Sequence, residues 1–377
     1  MDIVQETICM KDTATVTWIT WLNYGSYLQA YALQQVVQRL GYNNAIIDDE
    51  RFVYPYGNPT DLYKRTLPLN KRIKFFIKQW LLRPNNRKLQ IERQYKKFRR
   101  KHLVIDNSYK RVEELNQRYD VFIAGSDQIW APTKEVFKPF YYLDFATKKR
   151  ISYAASINSD HYPEEYIEPV SELLKDFSHI SVREEAGKGL LKSFVQKEIE
   201  VTLDPTLLLT SKEWQSIADK RKSKSSFILC YLLSFNETYL QFARSFAKQK
   251  NLPLYFFSNN EQYSQYADVM LASGPSQFVS AFRDASFVLT DSFHGTIFSI
   301  LHEKEFITFK RFKGAEGSNQ NERLNNLFSI TGIEGRFFDE QELFESPIMP
   351  IDYEAVNKSL DKWREKSVNY LRKALSE

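Results

Sequence analysis

Two periodicities alternate along the chain. Short apolar runs bounded by turn residues, 16–21, 45–48, 119–124, 150–155 and 179–183, predict buried strands. Between the first two, Leu28, Tyr31, Leu33, Val36, Val37 and Leu40 recur at helical spacing, and Gly41 supplies the stop, so 27–40 is a predicted helix. A strand, a turn, a helix and a strand in close succession form a βαβ unit, which demands a parallel sheet. Helix is expected again over 184–194, and an apolar stretch follows at 201–205.

A second series starts near Trp214. Strands are predicted at 227–233, 254–257, 287–290 and, as the last clear one, 305–309; helices at 236–250, 278–285, 291–303, 324–330 and 352–376. The pattern predicts an α/β protein of two Rossmann-like doubly wound domains, 1–210 and 211–377, with a helical insertion at about 64–111 in the first. Ligands of such folds bind beyond the carboxyl ends of the strands, so the loops after strands are where chemistry is sought.

Composition narrows the class. With 377 residues, 43% hydrophobic and 15% aromatic, the chain can bury two cores, and it is neither disordered nor low-complexity. Cys9 and Cys230 allow no disulfide framework and no four-cysteine zinc site. His102, His161, His179 and His302 show no ligand spacing, so no metal is expected. No apolar run approaches the ~20 residues of a membrane span, and the start of the chain lacks the features of a signal peptide. A cytoplasmic protein is expected.

Charge is uneven. Residues 64–111 hold 17 Lys/Arg against Glu92 and Asp106, a local net of +15 that leaves −10 elsewhere within a total of +5. Aromatic and aliphatic residues interleave the cations at 73–82. Two readings stay open: a solvated helical hairpin packed on the body, or a peripheral contact with the inner face of an anionic plasma membrane. No zinc-finger, helix-turn-helix or RNA-recognition signature is present, so no nucleic-acid partner is expected.

Four strand ends carry candidate chemistry. Asn23-Tyr24-Gly25-Ser26 reads as a turn before a helix, able to hold an anion or merely to turn. Gly125-Ser126-Asp127-Gln128-Ile129-Trp130 crowds a hydroxyl, a carboxylate and an amide, with Trp130 either a sugar platform or core. Asp291-Ser292-Phe293-His294-Gly295-Thr296 brings a carboxylate, hydroxyls and an imidazole to a helix start. Arg183 could clasp an anion, or pair with Glu184, Glu185 or Asp204. After the last strand, 310–319 reads as a basic, glycine-bearing mobile loop suited to anion capture, with Arg311 in it and Arg323 beyond.

Taken in order, these segments resemble the polysaccharide pyruvyl transferase family. The resemblance rests on 23–33, 125–130, Ser152-Tyr153-Ala154-Ala155-Ser156, Ser181-Val182-Arg183-Glu184, 203–208 and 290–296, and so spans most of the chain. It implies a fold like the two-domain glycosyltransferases, with the site in the cleft, an acceptor side in the first domain and a donor side in the second. It also implies transfer of a pyruvyl group from phosphoenolpyruvate, as co-substrate with no other cofactor, onto two sugar hydroxyls as a cyclic ketal.

By resemblance His294 is the acid or phosphate donor and Arg183 an anion anchor; on chemistry alone Asp127 is the candidate base, with Asp291 a further catalytic candidate. Asn23, Gly25, Ser126, Gln128, Ser292, Gly295 and Thr296 are expected to bind substrate. Similar members carry Arg-Leu-His where this chain has Ser292-Phe293-His294, and Arg311 or Arg323 is the candidate replacement for that arginine. The expected function is modification of a cell-surface polysaccharide precursor, capsule or exopolysaccharide, on a sugar or lipid-linked oligosaccharide. The alternatives are a glycosyltransferase using a sugar nucleotide and a non-catalytic sugar-binding subunit.

Overall fold

The computed structural model describes residues 11–48, 50, 71, 87–159, 161–220, 226–258, 261–311, 315–345 and 347–377, the side chains of 261 and 315–320 excepted. Seven parallel strands form the first sheet: β1 (Asp12–Val16), β2 (Asn43–Ile47), β3 (Ile105–Asp106), β4 (Val121–Ala124), β5 (Lys149–Ser152), β6 (Phe177–Val182) and β7 (Ile199–Val201). Their order is β3-β2-β1-β4-β5-β6-β7. The second sheet contains β8 (Ile228–Tyr231), β9 (Leu254–Phe257), β10 (Val269–Leu271), β11 (Phe287–Thr290), β12 (Glu305–Phe309) and β13 (Phe337–Phe338), ordered β10-β9-β8-β11-β12-β13. Both are doubly wound sheets, and each reverses direction once, between β1 and β4 and between β8 and β11. At such a reversal the helices leave on opposite faces and a crevice opens.

The long helices are α1 (Tyr24–Arg39), α2 (Arg87–His102), α3 (Glu164–Leu174), α4 (Glu185–Lys192), α5 (Glu237–Lys250), α6 (Pro275–Asp284), α7 (Phe293–Leu301), α8 (Ala315–Thr331) and α9 (Tyr353–Ser376). One apolar cluster runs through both sheets' helices, taking Tyr27, Leu28 and Leu33 of α1 together with Phe278 and Phe282 of α6, Phe298 of α7 and Leu371 of α9. Tyr24 stacks on Phe278 at 4.7 Å and donates its hydroxyl to the Ser273 carbonyl at 3.1 Å. Helix α2 lays Tyr95 and Phe98 on Tyr27 and Tyr31 of α1. Helix α9 returns to the first sheet, where Ser367 accepts from Leu203 N (3.0 Å) and Tyr370 donates to the Ser152 carbonyl (2.9 Å). The two sheets therefore share a core as well as a crevice.

Several boundaries differ from the sequence pattern. The first strand is Asp12–Val16, not 16–21, because β2 and β4 pair with 12–16. Trp18 and Ile19 are buried in the loop that follows, so the apolar run continues past the strand's end. Residues 23–26 are the cap and first turn of α1 rather than a turn before it. Residues 315–319, expected in a loop, begin α8. β3, β10 and β13 have three residues or fewer, too short for periodicity to reveal. Of the basic insertion expected at about 64–111, Arg87–His102 is α2, whereas Ile105–Asp106 is β3 paired with β2, so its end belongs to the first sheet; the amphipathic stretch 73–82 lies outside the described residues.

Trp130 is core. It is fully buried, stacks on Tyr142 at 5.2 Å with rings nearly parallel, and donates its indole N–H to the Tyr141 carbonyl at 3.0 Å. The Trp130→Ala variant is expected to lose about 3–5 kcal/mol of unfolding free energy, measured by urea denaturation. A variant as stable as the parent would return Trp130 to the sugar-platform reading.

Candidate functional site

The two direction reversals face each other through two helix starts. Helix α1 leaves β1 with Asn23 as its cap, the side chain accepting from Ser26 N. Helix α7 leaves β11 with Ser292 as its cap, accepting from Gly295 N at 3.2 Å. Gly25 and His294, each the second residue of its helix, meet: a Cβ built at Gly25 would lie 2.0 Å from His294 Nδ1 and 2.4 Å from Cε1. Only a glycine admits the ring there. The positive ends of two helix dipoles thus converge on one point.

From His294 the contacts run into the first sheet. Its Nε2 is 3.6 Å from Asp204 Oδ2, within ion-pair reach when the ring is protonated but beyond a hydrogen bond. Asp204 accepts from Arg183 Nη1 at 2.7 Å and from Thr206 N and Oγ1 at 2.9 and 2.6 Å. Burial acts to raise the Asp204 pKa, yet His294, Arg183 and Thr206 together hold it well below the ordinary carboxylate range. Arg183 Nε donates to Glu184 Oε1 (3.2 Å), which also accepts from Ser156 Oγ (2.5 Å). Burial lowers the Arg183 pKa, but Glu184, Asp204 and Asp127 outweigh it and the net shift is upward.

Asp127 ends the β4 loop with φ of 76°, a left-handed backbone that aspartate tolerates better than most residues. Its Oδ2 accepts from Ser26 Oγ at 2.5 Å and its Oδ1 from Gln128 N at 2.9 Å. With its amide oxygen turned to α8, Gln128 accepts from Arg323 Nη1 (2.6 Å) and Nη2 (3.1 Å). Both guanidinium groups lie over the Phe293 ring, Arg183 Cζ at 4.7 Å and Arg323 Cζ at 5.5 Å from its centroid. Burial first, then Arg183, lowers the Arg323 pKa to about 10, so it stays cationic at neutral pH.

The structure therefore brings together Gly25, Asp127, Gln128, Arg183, His294 and Arg323, with Asn23 and Ser292 capping the two helices; Ser126, next to Asp127, accepts at its carbonyl from Thr17 Oγ1 (2.8 Å). Other candidates stand apart. Asp291 accepts from Leu233 N (2.6 Å) and Ser234 N (3.0 Å), tying the loop after β8 to the end of β11. Arg311 Nε donates to Ser234 Oγ at 2.5 Å beside it. Thr296 turns inward to the Ser292 carbonyl and Thr308 Oγ1, and Gly295 admits Thr290, whose Oγ1 would lie 2.4 Å from a Cβ. Sequence reading gave no role to Phe293 and none to Asp204 beside His294. Neither has a local signal, because their partners lie 30 and 90 residues away. Among the described residues no group of His, Cys, Asp and Glu is arranged to hold a metal ion.

A model of the polysaccharide pyruvyl transferase family matches residues 23–311. No curated protein sequence matches. Among solved structures, a Rickettsia africae glycosyltransferase is 10% identical with a TM-score of 0.46, covering 96% of this chain and 93% of that one. The Methanocaldococcus jannaschii UDP-GlcNAc 2-epimerase in complex with UDP-GlcNAc and UDP is 11% identical, TM-score 0.44, covering 94% and 92%. The Escherichia coli heptosyltransferase WaaC with ADP is 10% identical, TM-score 0.41, covering 93% and 99%.

Burial, against two backbone N–H bonds, raises the Asp291 carboxyl to about 6. A raised folded pKa means the fold holds this proton more tightly than the unfolded chain does. Its stabilisation is full below the ordinary carboxyl value and is lost as pH rises to about 6. Thermal unfolding from pH 4 to 7 is expected to show wild type losing stability relative to Asp291→Asn up to that point, with no further divergence above it. Parallel curves would remove the buried carboxyl from the account.

Proposed function

Because the chain belongs to the polysaccharide pyruvyl transferase family, we propose that it moves the pyruvyl group of phosphoenolpyruvate onto two hydroxyls of a sugar in a polysaccharide precursor. The observation that supports this is a concentration of unmet polar atoms. Of eleven buried side-chain N or O atoms without a partner among the described residues, four belong to this one cluster: Arg183 Nη2, Glu184 Oε2, His294 Nε2 and Arg323 Nε. Each such atom costs about 1–3 kcal/mol, so four in one place favour a binding site over a scaffold. The unmet arginine donors suit an anion carrying both carboxylate and phosphate.

The chemistry assigns the groups. Phosphoenolpyruvate takes a proton at its methylene carbon as the first sugar oxygen bonds to the central carbon. The sugar proton passes to a base. Attack by the second hydroxyl at the same carbon closes the ketal and expels phosphate, which carries away the remaining proton. Asp127 is the base, its Oδ2 held by Ser26. His294 supplies the proton, and Asp204 stabilises the ring while it is charged. Arg183 and Arg323 bind the anion over Phe293. The N–H groups and positive dipole ends of the two helix starts favour the charge that develops on the departing phosphate.

The reaction is measured as phosphate release from phosphoenolpyruvate with a panel of p-nitrophenyl glycosides as acceptors. His294→Gln and Asp127→Asn are each expected to lower the rate by about 10²–10⁴-fold without loss of fold. Rates unchanged in both variants, or turnover of UDP-sugars without any of phosphoenolpyruvate, would overturn the reading, the second in favour of a glycosyltransferase.

A further inference from the structure

Outside the cluster, the feature with most unexplained charge is helix α2. It has eight Lys/Arg in sixteen residues, besides its terminal His102, and one acid, Glu92. Ile91, Tyr95 and Phe98 are its buried face. At 100° per residue, Arg93, Lys96, Lys97, Arg100 and Lys101 fall within an arc of about 140° on the opposite side. All five are exposed. The half-buried Arg99 is paired with Asp48; none of the exposed five forms an ion pair among the described residues. A helix that needed charges only for solubility would mix signs on that face.

We propose that this face of α2 docks the protein on an anionic lipid surface. Two features select lipid over nucleic acid. The helix's rings, Tyr95 and Phe98, are buried against α1, so no aromatic side chain is left on the basic face for bases to stack on. In the sequence just ahead of α2, Lys74-Phe75-Phe76-Ile77-Lys78-Gln79-Trp80-Leu81-Leu82 interleaves cations with aromatic and aliphatic residues, the composition of an interfacial segment. Among the described residues no helix is long and apolar enough to cross a membrane; the attachment proposed is electrostatic, through the cations of α2. Gln94, Lys97 and Lys101 of α2 line a groove with Ser216, Asp219 and Gln277. The inference stands on the charge of α2 and not on the reading of the catalytic cluster.

The test is cosedimentation of the full chain with phosphatidylcholine vesicles, with and without phosphatidylglycerol. Binding is expected only with the anionic lipid and is expected to fall as salt shortens the Debye length from about 10 Å at 0.1 M to about 3 Å at 1 M. The variant Arg93→Gln, Lys96→Gln, Lys97→Gln, Arg100→Gln keeps good helix formers on an exposed face. At about 1 kcal/mol for each lost cation, it should lower the partition coefficient by at least about a hundredfold. Its phosphate release on a soluble glycoside should stay at the parent rate, which separates this proposal from the catalytic one. Equal binding to neutral vesicles, unchanged partition of the variant, or displacement by duplex DNA at equal phosphate concentration would each overturn it.

Discussion

A van der Waals constraint organises this molecule. The His294 ring occupies the space that a side chain at position 25 would fill, so the starts of α1 and α7 can touch only because residue 25 is glycine. That contact joins the direction reversals of two sheets that have no strand in common. It brings His294 to a set of first-sheet residues that already hold one another. His294 reaches Asp204, Asp204 holds Arg183, and Arg183 lies over Phe293, the residue beside His294 on α7. The route leaves the second sheet, crosses the first and returns.

Electrostatics decides how such a cluster survives burial. Two guanidinium groups above one phenyl ring repel each other, and the lowered pKa of Arg323 records that repulsion as well as burial. Asp127, Glu184 and Asp204 offset it. The balance is incomplete, since Arg183 Nη2, Arg323 Nε and Glu184 Oε2 remain without partners. A scaffold selected only for stability would fill such positions with apolar side chains, which often raises stability. Under the proposed function, those charges and unmet donors below a pair of helix starts are what an anionic substrate would meet.

Much of this architecture was legible in the sequence because its strands are short apolar runs and its main helices have clear periodicity. The strands 254–257, 287–290 and 305–309 were placed residue for residue. The first strand was misplaced because burial outlasted hydrogen bonding: Trp18 and Ile19 are as apolar as a strand but lie in the crevice loop. The site was legible as a set of loops, not as a geometry. Arg183 had Glu184, Glu185 and Asp204 as candidate partners and pairs with the first and the last, Glu185 facing Lys188 instead, while Asp291, in the same motif as His294, serves the neighbouring loop. No local pattern reports which of two adjacent polar residues faces the crevice. The role of Phe293 depends on an arginine thirty positions later and becomes visible only in three dimensions.

The most direct test of the central contact is Gly25→Ala, with phosphoenolpyruvate binding followed by calorimetry and inorganic phosphate as the anion control. Alanine is the better helix former by about 1 kcal/mol, so helix propensity itself does not oppose the change. The account predicts a folded variant in which the displaced His294 ring abolishes binding of phosphoenolpyruvate beyond that of phosphate. A variant that binds phosphoenolpyruvate as the parent does would contradict the claim that this contact assembles the site.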